Sequence, residues 1–460
     1  MNTRNTVLFC SDHMTAEVEK SLRFDYQDRN QLAVHAIPGG TIYPLEDSGS
    51  TVTECGQYGG VLDQNFRFVP ASLQRRCYPD PITPSADWYI GARPGWDPAT
   101  RERCDEEVVF LGPAKRHFAH FYLEALARVW FFLDERNCKY RVAYLVRPGD
   151  EPDAQLLQDA FSLLGVPVQN LMAIRDPTQF KTVLIPEQSF VLNRSYHSLY
   201  VQTIDRLQKN IAPREHKKVF FSRRLNYPGS TRNIGDDLAE AIFRKNGYEI
   251  FHPEGMTLPE TLAIMKGCEE FAACSGSNAH NAVFLREGAT IVILNRSEHI
   301  HPIQTMINEM RRLRCVYVDS FYDLLPVNWS IGPFSFCYTP FLEAYLRENH
   351  MAYDRAALIA ASTRNLILYI KTWSEYYADS AFTEPTLSHS IDAKALAKKI
   401  RHLELTLAQT ISKRRAFLMT CYRVACALRE KHQRARWWRF VEPVLKWGGR
   451  MVSRLSAIGR

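Results

Sequence analysis

The stretch Cys274-Ser275-Gly276-Ser277-Asn278 lies between a short apolar run, Phe271-Ala272-Ala273, and Ala282-Val283-Phe284-Leu285, where apolar residues resume at helical spacing. A strand feeding a helix through Ser-Gly-Ser presents backbone N–H groups and small hydroxyls at the positive end of a helix dipole. That arrangement holds a phosphate or another anion. The plainer alternative is a tight turn with Gly276 left-handed and Ser277 or Asn278 capping the helix. Arg223-Arg224 directly follows a second apolar run, Lys218 to Ser222, and Arg232 stands in the loop beyond it. Guanidinium forks there would grip phosphate oxygens in pairs, although two arginines also make an ordinary solvated strand end. His120 and Glu124 are four apart in an apolar helical stretch and so share one face. Such a pair can move a proton, one group acting as base while the other orients it. On spacing alone a surface His–Glu pair is the plainer reading.

The elements that position these residues follow from periodicity. Strands are expected at 218–222, 248–251, the run ending at Cys274, 290–294 and 315–318, with helices over 236–245, 258–266 and 303–312. Alternation of this kind makes a doubly wound α/β sheet of Rossmann type, whose ligands sit beyond the strands' C-terminal ends. Arg223, Glu254 and Ser275-Gly276-Ser277 each follow a strand and should meet at that rim. Upstream, 108–113, 140–146 and 182–186 read as strands around helices at 117–133 and 153–164, the second closed by Gly165, a parallel α/β layer. Residues 196–211 are helical, and 213–216 connect the two halves. Residues 1–105 are irregular and strand-rich, with Gly39-Gly40 and Gly59-Gly60 marking turns. The expected division is therefore an α/β domain over 1–213, a Rossmann-like domain over 214–340, and a helical extension over 341–460.

Composition bounds the function. At 460 residues the chain is too long for one ordinary core, and 46% hydrophobic with 23% charged residues describes a folded protein. Eleven scattered cysteines without paired C-x-x-C spacing read as reduced thiols, with no disulfide framework or zinc site. The first residues lack an apolar core long enough for a signal peptide, and no run long enough to span a bilayer is present, so a cytoplasmic protein is expected. Gly-x-Gly-x-x-Gly is absent after every strand, which disfavours a dinucleotide cofactor, and no Gly-x-x-x-x-Gly-Lys-Ser/Thr loop occurs. The net charge of +7 is concentrated in 421–460, where ten Lys or Arg face only Glu430 and Glu442. Tryptophans alternate with arginines there, as in Arg436-Trp437-Trp438-Arg439, the composition of a segment lying in a membrane interface; a partner-docking or nucleic-acid-binding tail is the alternative.

Phe220 to Arg224, then Arg232 and an acidic helix start, then Tyr248 to Leu258, then Gly276-Ser277 through Leu285 and Gly288-Ala289 form an ordered series. That series resembles glycosyltransferase family 61, which includes bacterial capsule and surface-polysaccharide enzymes and eukaryotic N-acetylglucosaminyl- and xylosyltransferases. Gly112 to Arg128 resembles the family's N-terminal motif, a His followed four residues later by an acid. The resemblance implies a GT-B fold and inverting transfer from a nucleotide sugar, here a UDP-sugar, to a glycan or lipid-linked glycan acceptor. It places the donor on Arg223, Arg224, Arg232, Glu254, Ser275, Gly276, Ser277, His280 and Asn281, and the base on Glu124, with His120 orienting it or touching the acceptor. Ser275 stands where the family has His, with His280 nearby to supply an imidazole, and Gly235-Asp236 stands where it has Asn-Glu. No bound metal or other cofactor is expected, because Asp-x-Asp is missing at the strand ends of the second half and arginines can neutralise a leaving diphosphate. Nucleic acid is not an expected partner. The competing class is a non-catalytic nucleotide- or glycan-binding protein of the same descent.

The tail is expected to hold the protein at the cytoplasmic face of a membrane, each basic residue near anionic lipid contributing about 1 kcal/mol. Truncation after Leu428 should abolish sedimentation with vesicles containing phosphatidylserine. Undiminished binding would show that the tail is not the anchor.

Overall fold

The computed structural model describes residues 5–47, 57–77, 81–84, 89, 91–146, 149, 153–225, 233–322 and 332–379. Arg232 and the expected basic tail lie outside them. The fold is mixed α/β, built on two main sheets.

The first of these sheets has six strands, all parallel, in the spatial order Thr6–Phe9, Arg314–Asp319, Thr290–Asn295, Glu270–Cys274, Lys218–Phe221 and Glu249–Phe251. Five are the strands expected from periodicity. The sixth comes from the chain's beginning: Thr6 to Phe9 pair with Cys315 to Val318, more than three hundred residues away. Side chains alternate between the two faces of a strand, and here both faces are covered. Val219, Phe221, Phe271, Ala273, Ile291 and Ile293 enter one core cluster, while Phe220, Ala272, Val292 and Leu294 enter another. Leu258–Gly267 and Pro302–Met310 cover the first face through Leu262, Met265, Met306 and Ile307. Asp236–Lys245, Pro340–Glu348 and Arg355–Asp379 cover the second through Phe243, Leu342, Leu346 and Ile359.

The other large sheet is mixed rather than parallel throughout. Glu102–Pro113 runs parallel to both neighbours, Thr178–Pro186 and Arg141–Leu145, and Arg141–Leu145 parallel to Leu171–Ile174. The last pair is joined by Ala154–Leu164, started by the Asp153 carboxylate and ended by Gly165 at φ +84°, as the sequence predicts. Val34–Pro38 and Thr41–Asp47, however, lie antiparallel along the same edge of Thr178–Pro186. Gly39-Gly40 therefore kinks a continuing strand and does not reverse it.

The helix expected over 117–133 is α-helical only over Phe118–Glu124 and tightens to a 3₁₀ helix over Ala125–Leu133. Neighbouring groups claim the carbonyls that an α-helix would use. Ser189 donates both its N–H (2.8 Å) and its hydroxyl (2.7 Å) to the Ala127 carbonyl, and the Tyr200 hydroxyl donates to that of Tyr122 (2.8 Å). Ser198–Gln208 then packs Tyr200, Ile204 and Leu207 into the same cluster that holds one face of the parallel sheet. No described helix is long and apolar enough to cross a membrane.

The connection at 213–216 lies directly on the helix Leu258–Gly267, whose Ala263 carbonyl takes the Arg214 N–H (2.9 Å). A Cβ on Gly267 would come within 1.7 Å of the Arg214 carbonyl oxygen. Gly267→Ala should therefore force two backbone segments apart and cost about 3 kcal/mol in urea unfolding. An unchanged unfolding midpoint would show that the connection yields freely.

Candidate active site

Three residues that leave the ends of adjacent parallel strands meet at one point. Gly276, two residues past Glu270–Cys274, takes φ +111°, a conformation that glycine adopts without strain. A Cβ there would lie 2.5 Å from an Arg296 guanidinium nitrogen and 3.4 Å from one of Arg223, so both guanidinium groups press against bare backbone. Both arginines are buried, Arg223 at 6% and Arg296 at 9% exposure. Arg296 donates to Asn233 Oδ1 (3.1 Å) and lies over the Phe334 ring, 3.9 Å from its centroid. Burial, and then the charge of Arg223, bring the Arg296 pKa down to about 9. Burial likewise lowers Arg223, opposed by Asp236, Cys274 and Glu254.

Asp236, 7% exposed, is the carboxylate that both arginines feel. Burial raises its pKa to about 6 against the pull of Arg223 and Arg296, and its Oδ2 has no hydrogen-bond partner. Two buried cations beside one buried acid form a recess suited to an anion that carries more than one charge.

The charge at this site comes from the guanidinium groups and not from a helix dipole. Residues 279–284 form a short 3₁₀ helix in place of the expected α-helix, and neither Ser277 nor Asn278 caps it. Asn278 uses its amide on the Ser222 carbonyl (3.1 Å), and Asn281 uses its own on the Asn278 carbonyl (3.0 Å), which stiffens the turn from within. Ser275 is buried with its N–H on the Leu294 carbonyl (2.9 Å), and Ser277 is half-buried. Arg224 points elsewhere: it is exposed and faces buried Glu240 (3.5 Å), which also accepts the Ser222 hydroxyl (2.7 Å). Glu254 is exposed on the turn Pro253–Gly255, near enough for its charge to reach Arg223.

The helix Phe118–Glu124 brings its polar pair to the same recess. His120 Nδ1 and Glu124 Oε2 are 2.5 Å apart, with the imidazole 35% exposed and the carboxylate 5%. Burial works to raise the Glu124 pKa, but the hydrogen bond and charge of His120, with Lys115 and Arg76, prevail and hold it below its ordinary value. The His117 ring stands 4.9 Å from that of His120. His280, 5% exposed with no partner on Nε2, is pulled down to about 3 by burial, then by His120, His117, Arg296 and Arg223. Those charges act on one another only because the first-half helix and the arginine rim are neighbours. The Tyr122–Phe284 ring contact (5.1 Å) packs the two elements together.

Arg296, Asp236, His117 and His301, whose ring lies 5.8 Å from His280, were not among the expected site residues. Arg296 directly follows the strand Thr290–Asn295, so the rule that singles out Arg223 applies to it equally. Asp236 had a signal of its own, standing where the resembled family has its acid, and the two histidines carry none. Among the described residues, no group of three or more His, Cys, Asp or Glu is placed to hold a metal ion.

Residues 118–292 match the family model described as Glycosyltransferase 61. This region is a glycosyltransferase 61 segment, and the chain that carries it is a glycosyltransferase, an enzyme with a sugar donor and an acceptor. The match contains His120, Glu124, Arg223, Gly276 and His280, and stops just short of Arg296. Comparison with curated proteins gives no match. Among solved structures, similarity extends to the iron-containing dodecameric glycosyltransferase TibC from enterotoxigenic E. coli H10407, at 12% identity and a TM-score of 0.22, over 68% of this chain and 84% of that one. A second structure, the dodecameric iron-containing heptosyltransferase TibC in complex with ADP-D-beta-D-heptose, gives 12% identity and 0.22, over 68% and 81%.

Two of the shifted titrations at the site, those of His280 and Asp236, have opposite signs. From pH 6.5 to about 3 the unfolded chain protonates His280 and the folded one does not, so acid costs stability. From about 6 to 3.8 the folded chain holds a proton on Asp236 that the unfolded one releases, so acid adds stability. In urea unfolding across this range, His280→Asn should be less acid-sensitive than the parent and Asp236→Asn more so. Each should change the slope by up to about 1.4 kcal/mol per pH unit. Identical slopes in all three proteins would contradict both assignments.

Proposed function

We propose that the protein is an inverting glycosyltransferase of GT-B type. It takes a sugar from a nucleotide-sugar donor, a UDP-sugar first among them, and passes it to a glycan acceptor in surface-polysaccharide synthesis at the cytoplasmic side of a membrane. The observation that carries this reading is the pair of buried guanidinium groups, Arg223 and Arg296, pressed on Gly276 beside the His120–Glu124 pair. The arginines hold the donor diphosphate and neutralise the charge that gathers on it as the bond to the anomeric carbon breaks. The acceptor hydroxyl attacks that carbon from the opposite face and gives up its proton as it does so. His120 takes the proton on Nε2, because Nδ1 is engaged with Glu124. Glu124, buried and kept ionised, fixes the imidazole and stabilises its charged form. This reverses the two roles expected from the sequence, since a carboxylate 5% exposed with one oxygen on His120 is poorly placed to reach an acceptor. Arginines supply the positive charge, so the reaction proceeds without a bound divalent metal.

Melting temperature followed with UDP-, GDP- and CMP-sugars identifies the donor, because a ligand bound only by the folded chain raises it. One donor should give a rise that Arg223→Ala abolishes; silence toward all of them would sink the assignment. With that donor, transfer should survive EDTA, and a requirement for added manganese would overturn the metal-free reading. His120→Ala should lower kcat by about 10²–10⁴-fold at unchanged donor affinity, and imidazole in solution should restore part of the rate. If imidazole fails there and Glu124→Gln is the deeper loss, Glu124 is the base. Donor binding without hydrolysis or transfer would favour the non-catalytic alternative.

A further inference from the structure

Arg296 is held from behind by a chain of hydrogen bonds that leads to the beginning of the protein. Its predecessor Asn295, 1% exposed, ends the strand Thr290–Asn295 and is fixed through its backbone carbonyl and its side-chain amide. The Asn295 carbonyl accepts the Ser320 hydroxyl (2.9 Å) and the Ser320 N–H (3.3 Å). The Asn295 amide donates to Asp319 Oδ1 (2.8 Å). Asp319, 4% exposed at the end of Arg314–Asp319, accepts the Ser11 N–H on its other oxygen (2.8 Å). Ser11 in turn caps the helix Asp12–Ser21 and is separated from the edge strand Thr6–Phe9 by Cys10 alone. One buried carboxylate thus joins three segments distant in sequence, and the only one of them that continues into the cationic recess is Asn295-Arg296.

We propose that Asp319 is a positioning residue for the donor site: by locking Asn295 against Ser11, it sets where the Arg296 guanidinium lies relative to Gly276 and Arg223. This rests on the reading of those arginines as the diphosphate grip. A guanidinium at the end of a long side chain loses its second contact with a diphosphate when its backbone shifts by a fraction of an ångström, while a carboxylate that merely filled space would leave affinity alone. Asp319 touches no substrate in this scheme and acts only through Arg296.

The distinction is measurable as a double-mutant cycle on UDP affinity, by titration calorimetry on the full chain with Arg296→Ala, Asp319→Asn and both together. An asparagine keeps the size of the side chain but has only one accepting oxygen for two N–H donors. Arg296→Ala and Asp319→Asn should each weaken UDP binding about tenfold, and the double variant should be no weaker than Arg296→Ala. Ser320→Ala, which removes only the hydroxyl on the Asn295 carbonyl, is the milder variant should Asp319→Asn fail to fold. It should weaken binding about threefold in the parent and not at all in Arg296→Ala. If Arg296→Ala leaves UDP affinity unchanged, the diphosphate reading and this proposal fall together. If Arg296→Ala weakens binding but the effects multiply, or the second-site variants bind like the parent, the positioning role alone is wrong.

Discussion

Two guanidinium groups held together away from bulk water repel each other, and much of the structure at the parallel sheet's rim answers that repulsion. Unit charges about 4 Å apart at the protein surface interact with an energy on the order of 4 kcal/mol. Gly276 offers no side chain and lets Arg223 and Arg296 settle on backbone. Asp236 supplies a buried carboxylate whose pKa burial raises to about 6, which leaves it mostly ionised at neutral pH. Phe334 offers its ring face and Asn233 a carbonyl oxygen. These partners offset the two charges in part, and an anion entering the recess would meet both guanidinium groups.

The imidazoles show the same economy of charge. His280 stays neutral at physiological pH because burial and the nearby cations disfavour a further positive charge. His120 instead carries the buried Glu124 carboxylate on its Nδ1. Burying an acid is unfavourable unless a partner offsets the lost hydration, and here the partner is the ring that the acid orients.

How much of this was legible in the sequence depends on how local each cause is. Five strands of the parallel sheet could be read because they are apolar on both faces and bounded by turn residues. Thr6–Phe9 could be read only as one more short piece of the strand-rich first residues, since its place in the sheet comes from Cys315 to Val318. The spacing of His120 and Glu124 placed them on one face correctly, but which of them is buried depends on the sheet beneath. The helix after Ser277 was misread because apolar spacing does not distinguish a single α-turn from a tightened 3₁₀ segment. Asn278 and Asn281, which looked like a cap and a ligand contact, spend their amides on carbonyls of the turn and its neighbour strand. Arg296 was visible in principle, as the residue following a strand, and its pairing with Arg223 emerges only once the strands lie side by side.

The edge strand Thr6–Phe9 has a consequence for how the chain comes to be folded. It is synthesised before the other five strands of its sheet, and its neighbour there, Arg314–Asp319, is the last of the six to be made. Closing so long a loop adds little free energy beyond a shorter one, since the entropic cost rises only logarithmically with length, but it orders events in time. During synthesis the segment has nothing to pair with until residue 319 is available, and the Asp319 carboxylate that receives Ser11 arrives with it. The sheet is completed at this edge by the first of its six strands to be made, and only after the last of them has emerged.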